Sequence, residues 1–100
     1  MLRLELHEEA ELELESEAIY LESERPGLAR RFLTTFYEKC EVLCRHPHLG
    51  KRVGRLTRSL SMHDFHYNVI YMIVDETLFV VAIAPHRRRP GYWLDRLTTR

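Results

Sequence analysis

Three consecutive arginines, Arg87, Arg88 and Arg89, stand between His86 and, beyond Pro90-Gly91, the aromatics Tyr92 and Trp93. Arginine's planar fork suits phosphate and carboxylate, and ring faces beside cations can hold unstacked bases against a phosphate backbone. The cluster leaves the end of an apolar run, Val80–Ala84, so a strand would fix its backbone. Arg52, Arg55 and Arg58 add further guanidiniums, and a curved sheet could carry some of them to the same concave surface. These nine residues form the expected target-binding set. A structural reading competes with it: Trp93 plugs the edge of the core, and the arginines pair with glutamates near the amino terminus.

Other candidates point to scaffold. Cys40, Cys44, His46 and His48 have the types of zinc ligands, but both cysteines fall on the apolar stripe of a helix that the histidines follow, so core thiols are expected and no metal. His63 and His66 flank a strand entrance and read as solvated or hydrogen-bonded structural histidines. The early glutamates repeat along helical positions and read as a solvated face. Without a Gly-rich phosphate loop, a Gly-x-Ser-x-Gly elbow or a His-x-x-x-His pair, conventional hydrolase, kinase and dinucleotide functions find no support. No cofactor is expected.

The totals set the frame for these residues. One hundred residues, 45% of them apolar with four Gly and four Pro, suit one folded domain over 1–100. No apolar run is long enough to cross a bilayer, and MLRLELHEEAEL alternates charge with leucine where a signal peptide needs a continuous apolar block; a cytoplasmic location is expected. Two cysteines fit a reducing compartment. Net charge is zero, yet residues 1–24 hold nine Glu against Arg3, net −8, and residues 25–100 hold 14 Lys/Arg against six acids, net +8. The second part thus favours a polyanionic or acidic partner.

Leu2, Leu4 and Leu6 alternate with Arg3 and Glu5, the period of a half-buried strand. EEAELELESEAIYLESE, rich in Glu, Leu and Ala, predicts a helix with Ala10, Leu14, Ala18 and Leu21 on one stripe and Glu8, Glu9 and Glu11 at the positive end of its dipole. Arg25-Pro26-Gly27 breaks the pattern, and a second helix is expected to begin near Pro26. Its stripe is Ala29, Phe32, Leu33, Phe36, Cys40, Leu43 and Cys44, and RHPHLG ends it. So short a link makes an antiparallel helix hairpin. RVGRLTRSL, FHYNVIYMIV and LFVVAIA then read as a three-stranded meander, with Asp75-Glu76-Thr77 as a hairpin turn and the arginine-rich strand at an edge. YWLDRLTTR could add a terminal helical turn. The expected fold is α+β, in the order β-α-α-β-β-β, with the hairpin packed on a small, curved, mostly antiparallel sheet.

ERPGLARRFL, HPHLG and FHYNVIYMIVDETLFVVAIAPHRRRPGYW, preceded by HEEAELEL, follow one another in an order and spacing that resembles the RelE/ParE superfamily of toxins from bacterial type II toxin–antitoxin modules, especially its ParE-like plasmid-stabilisation branch. The resemblance covers nearly the whole chain. It implies the same fold, a toxin that inhibits growth and a cognate antitoxin that binds it in a toxin–antitoxin hetero-oligomer. Two activities occur in that superfamily: inhibition of DNA gyrase without catalysis, and ribosome-dependent cleavage of messenger RNA. For the ribonuclease, the resemblance implies Arg87, Tyr92 and Arg58 as catalytic candidates. The third-strand position that is arginine in RelE-like ribonucleases is Asn68 here, and their preceding lysine pair is missing. This departure favours the gyrase inhibitor over the mRNA interferase. A toxin-derived member with little toxicity left is a third reading.

Overall fold

The computed structural model describes residues 1–98; Thr99 and Arg100, the end of the expected terminal turn, lie outside the described residues. β1 is Arg3–Leu6, and α1 follows at Glu8–Glu24. His7 caps α1, its Nδ1 accepting from the Glu9 amide at 3.0 Å, and Glu8, Glu9 and Glu11 meet the positive end of the helix dipole. Ala10, Leu14 and Ala18 are buried, as their spacing predicts, and two alanines let the helix approach its neighbours closely.

α2 runs Leu28–Arg45, two residues later than proline's preference for a first turn suggests. The reason lies on α1. Glu22 accepts from the amide of the cap residue Gly27 (3.1 Å) and from the Ala29 amide (3.1 Å), so a carboxylate of the preceding helix caps the start of α2. Phe32, Phe36, Cys40, Leu43 and Cys44 then form the buried face of α2.

The arginine-rich run expected as one strand is two: β2, Lys51–Arg52, and β3, Arg58–Ser61, antiparallel to each other. Inside the run the Val53 amide donates to the Thr57 carbonyl (3.0 Å) and the Thr57 hydroxyl donates to the Val53 carbonyl (3.2 Å), which closes a turn. β4, Tyr67–Val74, and β5, Thr77–Pro85, complete a sheet in the order β1-β5-β4-β3-β2. β1 is parallel to β5, and every other pair is antiparallel. The arginine-rich strands take one edge, as expected, and β5 is buried throughout.

Two apolar clusters sandwich the sheet. On the helix side Phe32, Phe36, Leu43, Val69, Tyr71 and Ile83 interdigitate; on the other side Ile70, Phe79, Val81, Ala82 and Ala84 are covered by Trp93. Each leucine- or phenylalanine-sized side chain so buried contributes roughly 1.5–3 kcal/mol. Among the described residues no helix is long and apolar enough to cross a membrane.

Candidate functional site

The basic cluster is delivered by β5, as its sequence context implies. After Pro85 the chain is pinned by the His86 amide, which donates to the His66 carbonyl (2.9 Å), and by the Arg88 amide, which donates to the Pro85 carbonyl (3.0 Å). His86 also shares a hydrogen bond with Asn68 Oδ1 at 3.1 Å. Arg89-Pro90-Gly91-Tyr92 then turns the chain back. The Tyr92 amide donates to the Arg89 carbonyl (3.3 Å), with Gly91 at φ 82°, so this is a type II turn with proline and glycine where that turn requires them. The turn leaves His86, Arg87, Arg88 and Arg89 exposed and sends Tyr92 and Trp93 back to the sheet.

Trp93 is 6% exposed and packs into the second core cluster, so it serves mainly as core. Its indole N–H has no hydrogen-bond partner among the described residues. Tyr92 is half-buried. Its hydroxyl donates to Glu13 Oε2 (2.8 Å), and Arg88 Cζ stands 3.7 Å from its ring centroid. Burial, and then the bond to Glu13, raise the Tyr92 phenol well above its ordinary value. At neutral pH the phenol is a committed donor and no base.

The remaining cations are placed differently. Arg52 Nη2 donates to the Arg55 carbonyl (2.9 Å), and Arg58 Nη1 donates to the carbonyls of Gly50 (2.8 Å) and His48 (3.2 Å). Arg58 therefore braces the loop between α2 and β2. Arg87 lies on the helix side, where its charge acts on Tyr67, whose hydroxyl donates to Glu17. A groove of about 430 Å³ on the other side of the sheet is lined by Ser59, Asn68, His86, Arg88, Arg89 and Tyr92, among others. Arg52, Arg55, Arg58 and Arg87 do not line it. The structure thus joins His86, Arg88, Arg89, Tyr92 and the buried Trp93 at one hollow and leaves the other cations apart.

The expectation that the early glutamates form a solvated face needs correcting at two positions. Glu13 and Glu17 are part-buried, Glu13 receiving Tyr92, Arg96 and the Ile83 amide, and Glu17 receiving Tyr67. They sit immediately before the buried Leu14 and Ala18, at the margin of the apolar stripe, and that adjacency was the available signal. Arg96 also lay outside the expected set, hidden in a terminal segment of mixed polarity. It forms part of the 3₁₀ turn Leu94–Thr98. The pairing of Arg87, Arg88 and Arg89 with glutamates of α1, which the competing structural reading required, does not occur; none of the three forms an ion pair among the described residues. Cys40 and Cys44 are free thiols in the core, and burial pushes Cys40 up to about 12.

A family model described as ParE toxin of type II toxin-antitoxin system, parDE, matches residues 4–90. No curated protein matches the chain.

Proposed function

Because the chain belongs to the ParE toxin family of type II toxin–antitoxin systems, we propose that it arrests growth by binding an essential target, DNA gyrase, rather than by catalysis, and that a cognate antitoxin neutralises it. One observation carries this reading. The guanidiniums of Arg87, Arg88 and Arg89 leave a rigid strand exposed and without a carboxylate partner among the described residues, while the groups a ribonuclease would need are otherwise engaged. Tyr92 is bonded to Glu13, Arg58 holds backbone carbonyls, and Asn68 bonds His86. Cleavage of RNA needs a base, an acid and cationic support around one phosphate; this loop supplies the cations. Uncompensated arginines on a fixed backbone suit recognition of an anionic surface.

Membership in the family implies a cognate antitoxin as partner. An acidic antitoxin segment meeting the same loop would exclude the target by occupying its contacts. The test is induction of the toxin without antitoxin, followed by supercoiling assays with purified protein and gyrase. Filamentation, DNA-damage signalling and blocked supercoiling are expected. Translation stopping first, with messenger cleavage that depends on ribosomes, would reverse the choice in favour of the RelE-like ribonuclease.

A further inference from the structure

β5 loses its strand neighbour part-way along. β1 reaches only Leu6, opposite Val80, and the next bond between the two segments runs from the His7 amide to the Val80 carbonyl at 2.9 Å. Immediately beyond, β5 carries a bulge: Ile70 pairs with Ala82 and Tyr71 with Val80, which leaves Val81 as the extra residue. Side chains replace the absent strand. Glu13 Oε1 accepts from the Ile83 amide (3.0 Å), and Arg96 Nη1 donates to the Val81 carbonyl (3.1 Å). Glu13 Oε2 accepts from both Arg96 Nη2 (2.8 Å) and the Tyr92 hydroxyl (2.8 Å). With side chains 16% and 12% exposed, Glu13 and Arg96 are held largely out of water, where charge-assisted bonds are strong and geometrically demanding.

The consequence reaches Arg88. Its guanidinium packs on the Tyr92 ring, and Glu13 holds the hydroxyl of that ring. Arg88 and Tyr92 line both the groove beside Asn68 and a second hollow bounded by β1 and the start of α1, so the stacked pair forms the wall between them. We propose that Glu13 is a positioning residue for target recognition: by fixing Tyr92 against β5, it presents Arg88 in one orientation to an anionic group of the target. The proposal rests on the reading of the loop as a recognition surface. A long cation already packed on a ring that a carboxylate holds in place has less freedom to lose when it binds.

The test compares Glu13→Gln, Arg88→Ala and the double variant in the full chain. Growth arrest on induction and affinity for purified gyrase are measured, and the emission of Trp93, the sole tryptophan, reports whether the terminal segment stays docked. Glu13→Gln should shift Trp93 emission to the red and weaken binding on the order of 10-fold. Arg88→Ala should weaken binding similarly without moving the emission, and the double variant should lose no more than the worse single variant. Additive losses, an unmoved emission in Glu13→Gln, or wild-type arrest by Glu13→Gln each overturn the proposal. If Glu13→Gln does not fold, Tyr92→Phe removes only the hydroxyl that Glu13 holds; its loss must also be non-additive with Arg88→Ala, and an additive loss overturns the proposal. Wild-type arrest without gyrase binding would defeat the target assignment, while the arrest comparison would still decide the role of Glu13.

Discussion

Arg58 and Arg88 belong to the same basic part of the chain but serve opposite ends. On β3, next to the edge strand β2, Arg58 is turned onto the protein itself: two backbone carbonyls accept from its guanidinium, and Tyr71, its cross-strand partner, reaches the same loop by accepting from the Gly50 amide (2.9 Å) and donating to the Pro47 carbonyl (2.7 Å). At the exit of β5, Arg88 is stacked but exposed, and Arg87 and Arg89 are exposed beside it. Residue type does not separate scaffold from surface; the partner does. An arginine anchored by backbone oxygens is tied to the loop it braces, whereas one packed flat on a ring keeps its edge available. The sharpest way to break this distinction is to remove the exposed set. Arg87→Ala/Arg88→Ala/Arg89→Ala should weaken target binding by on the order of 10²-fold or more and abolish growth arrest, with the thermal unfolding midpoint within a few degrees of wild type. A triple variant that still arrests growth would place recognition elsewhere.

Damage at the other region should read out as stability. A Cβ on Gly50 would lie 2.6 Å from Tyr71 Oη and 3.0 Å from the Ser59 carbonyl oxygen, so Gly50→Ala forces the clasp apart. The expected cost is about 1–3 kcal/mol, visible as a lower denaturant midpoint, with growth arrest retained wherever the protein remains folded. Loss of arrest at unchanged stability would mean that this edge also meets the target. The glycine that ends HPHLG therefore belongs to the packing around one phenol.

Alkaline titration separates the two regions further. Tyr67 and Tyr92 are both raised above the ordinary phenol value of 10.0, first by burial and then by bonds to Glu17 and Glu13; Tyr71 is raised by burial. Each folded phenol holds its proton more tightly than the unfolded one. The resulting stability is complete below about pH 10 and is lost as pH rises through the folded values. Denaturant midpoints should thus fall as pH rises above about 10, and Tyr92→Phe together with Tyr67→Phe should flatten that fall. A double variant with the same alkaline slope as wild type would remove these two phenols as its cause.

Periodicity made most of the fold legible. The stripes Ala10-Leu14-Ala18 and Phe32-Phe36-Cys40-Leu43 are buried as their spacing requires, and continuous apolarity marked β5 as a central strand. Pattern failed where single hydrogen bonds decide. Glu22 moves the start of α2 through a cap from another helix, and the Val53–Thr57 turn divides a strand whose composition alone looks uniform. The site was legible to the same extent. The position of Arg87–Arg89 at a strand end followed from the sequence, as did the alternative that Trp93 fills the core. Glu13 did not, because a carboxylate 70 residues from Ile83 in the chain becomes its partner only after α1 crosses β5.

The smallest effect expected concerns the two ion pairs of the described residues, which test whether burial or proximity gives Glu13 its weight. Glu41 and Arg45 approach to 3.3 Å along one face of α2, but their side chains are 58% and 59% exposed, and water competes for both charges. Glu13 and Arg96 approach to 2.8 Å with most of the solvent removed and a tyrosine and a backbone amide sharing the carboxylate. If proximity were sufficient, the two pairs would matter alike. Solvent screening instead makes Glu41→Ala worth less than about 0.5 kcal/mol, with no shift in Trp93 emission and full growth arrest. A larger loss on removing Glu41, measured by denaturant unfolding at moderate salt, would mean that α2 carries an electrostatic role of its own and that burial is not what distinguishes the carboxylate on α1.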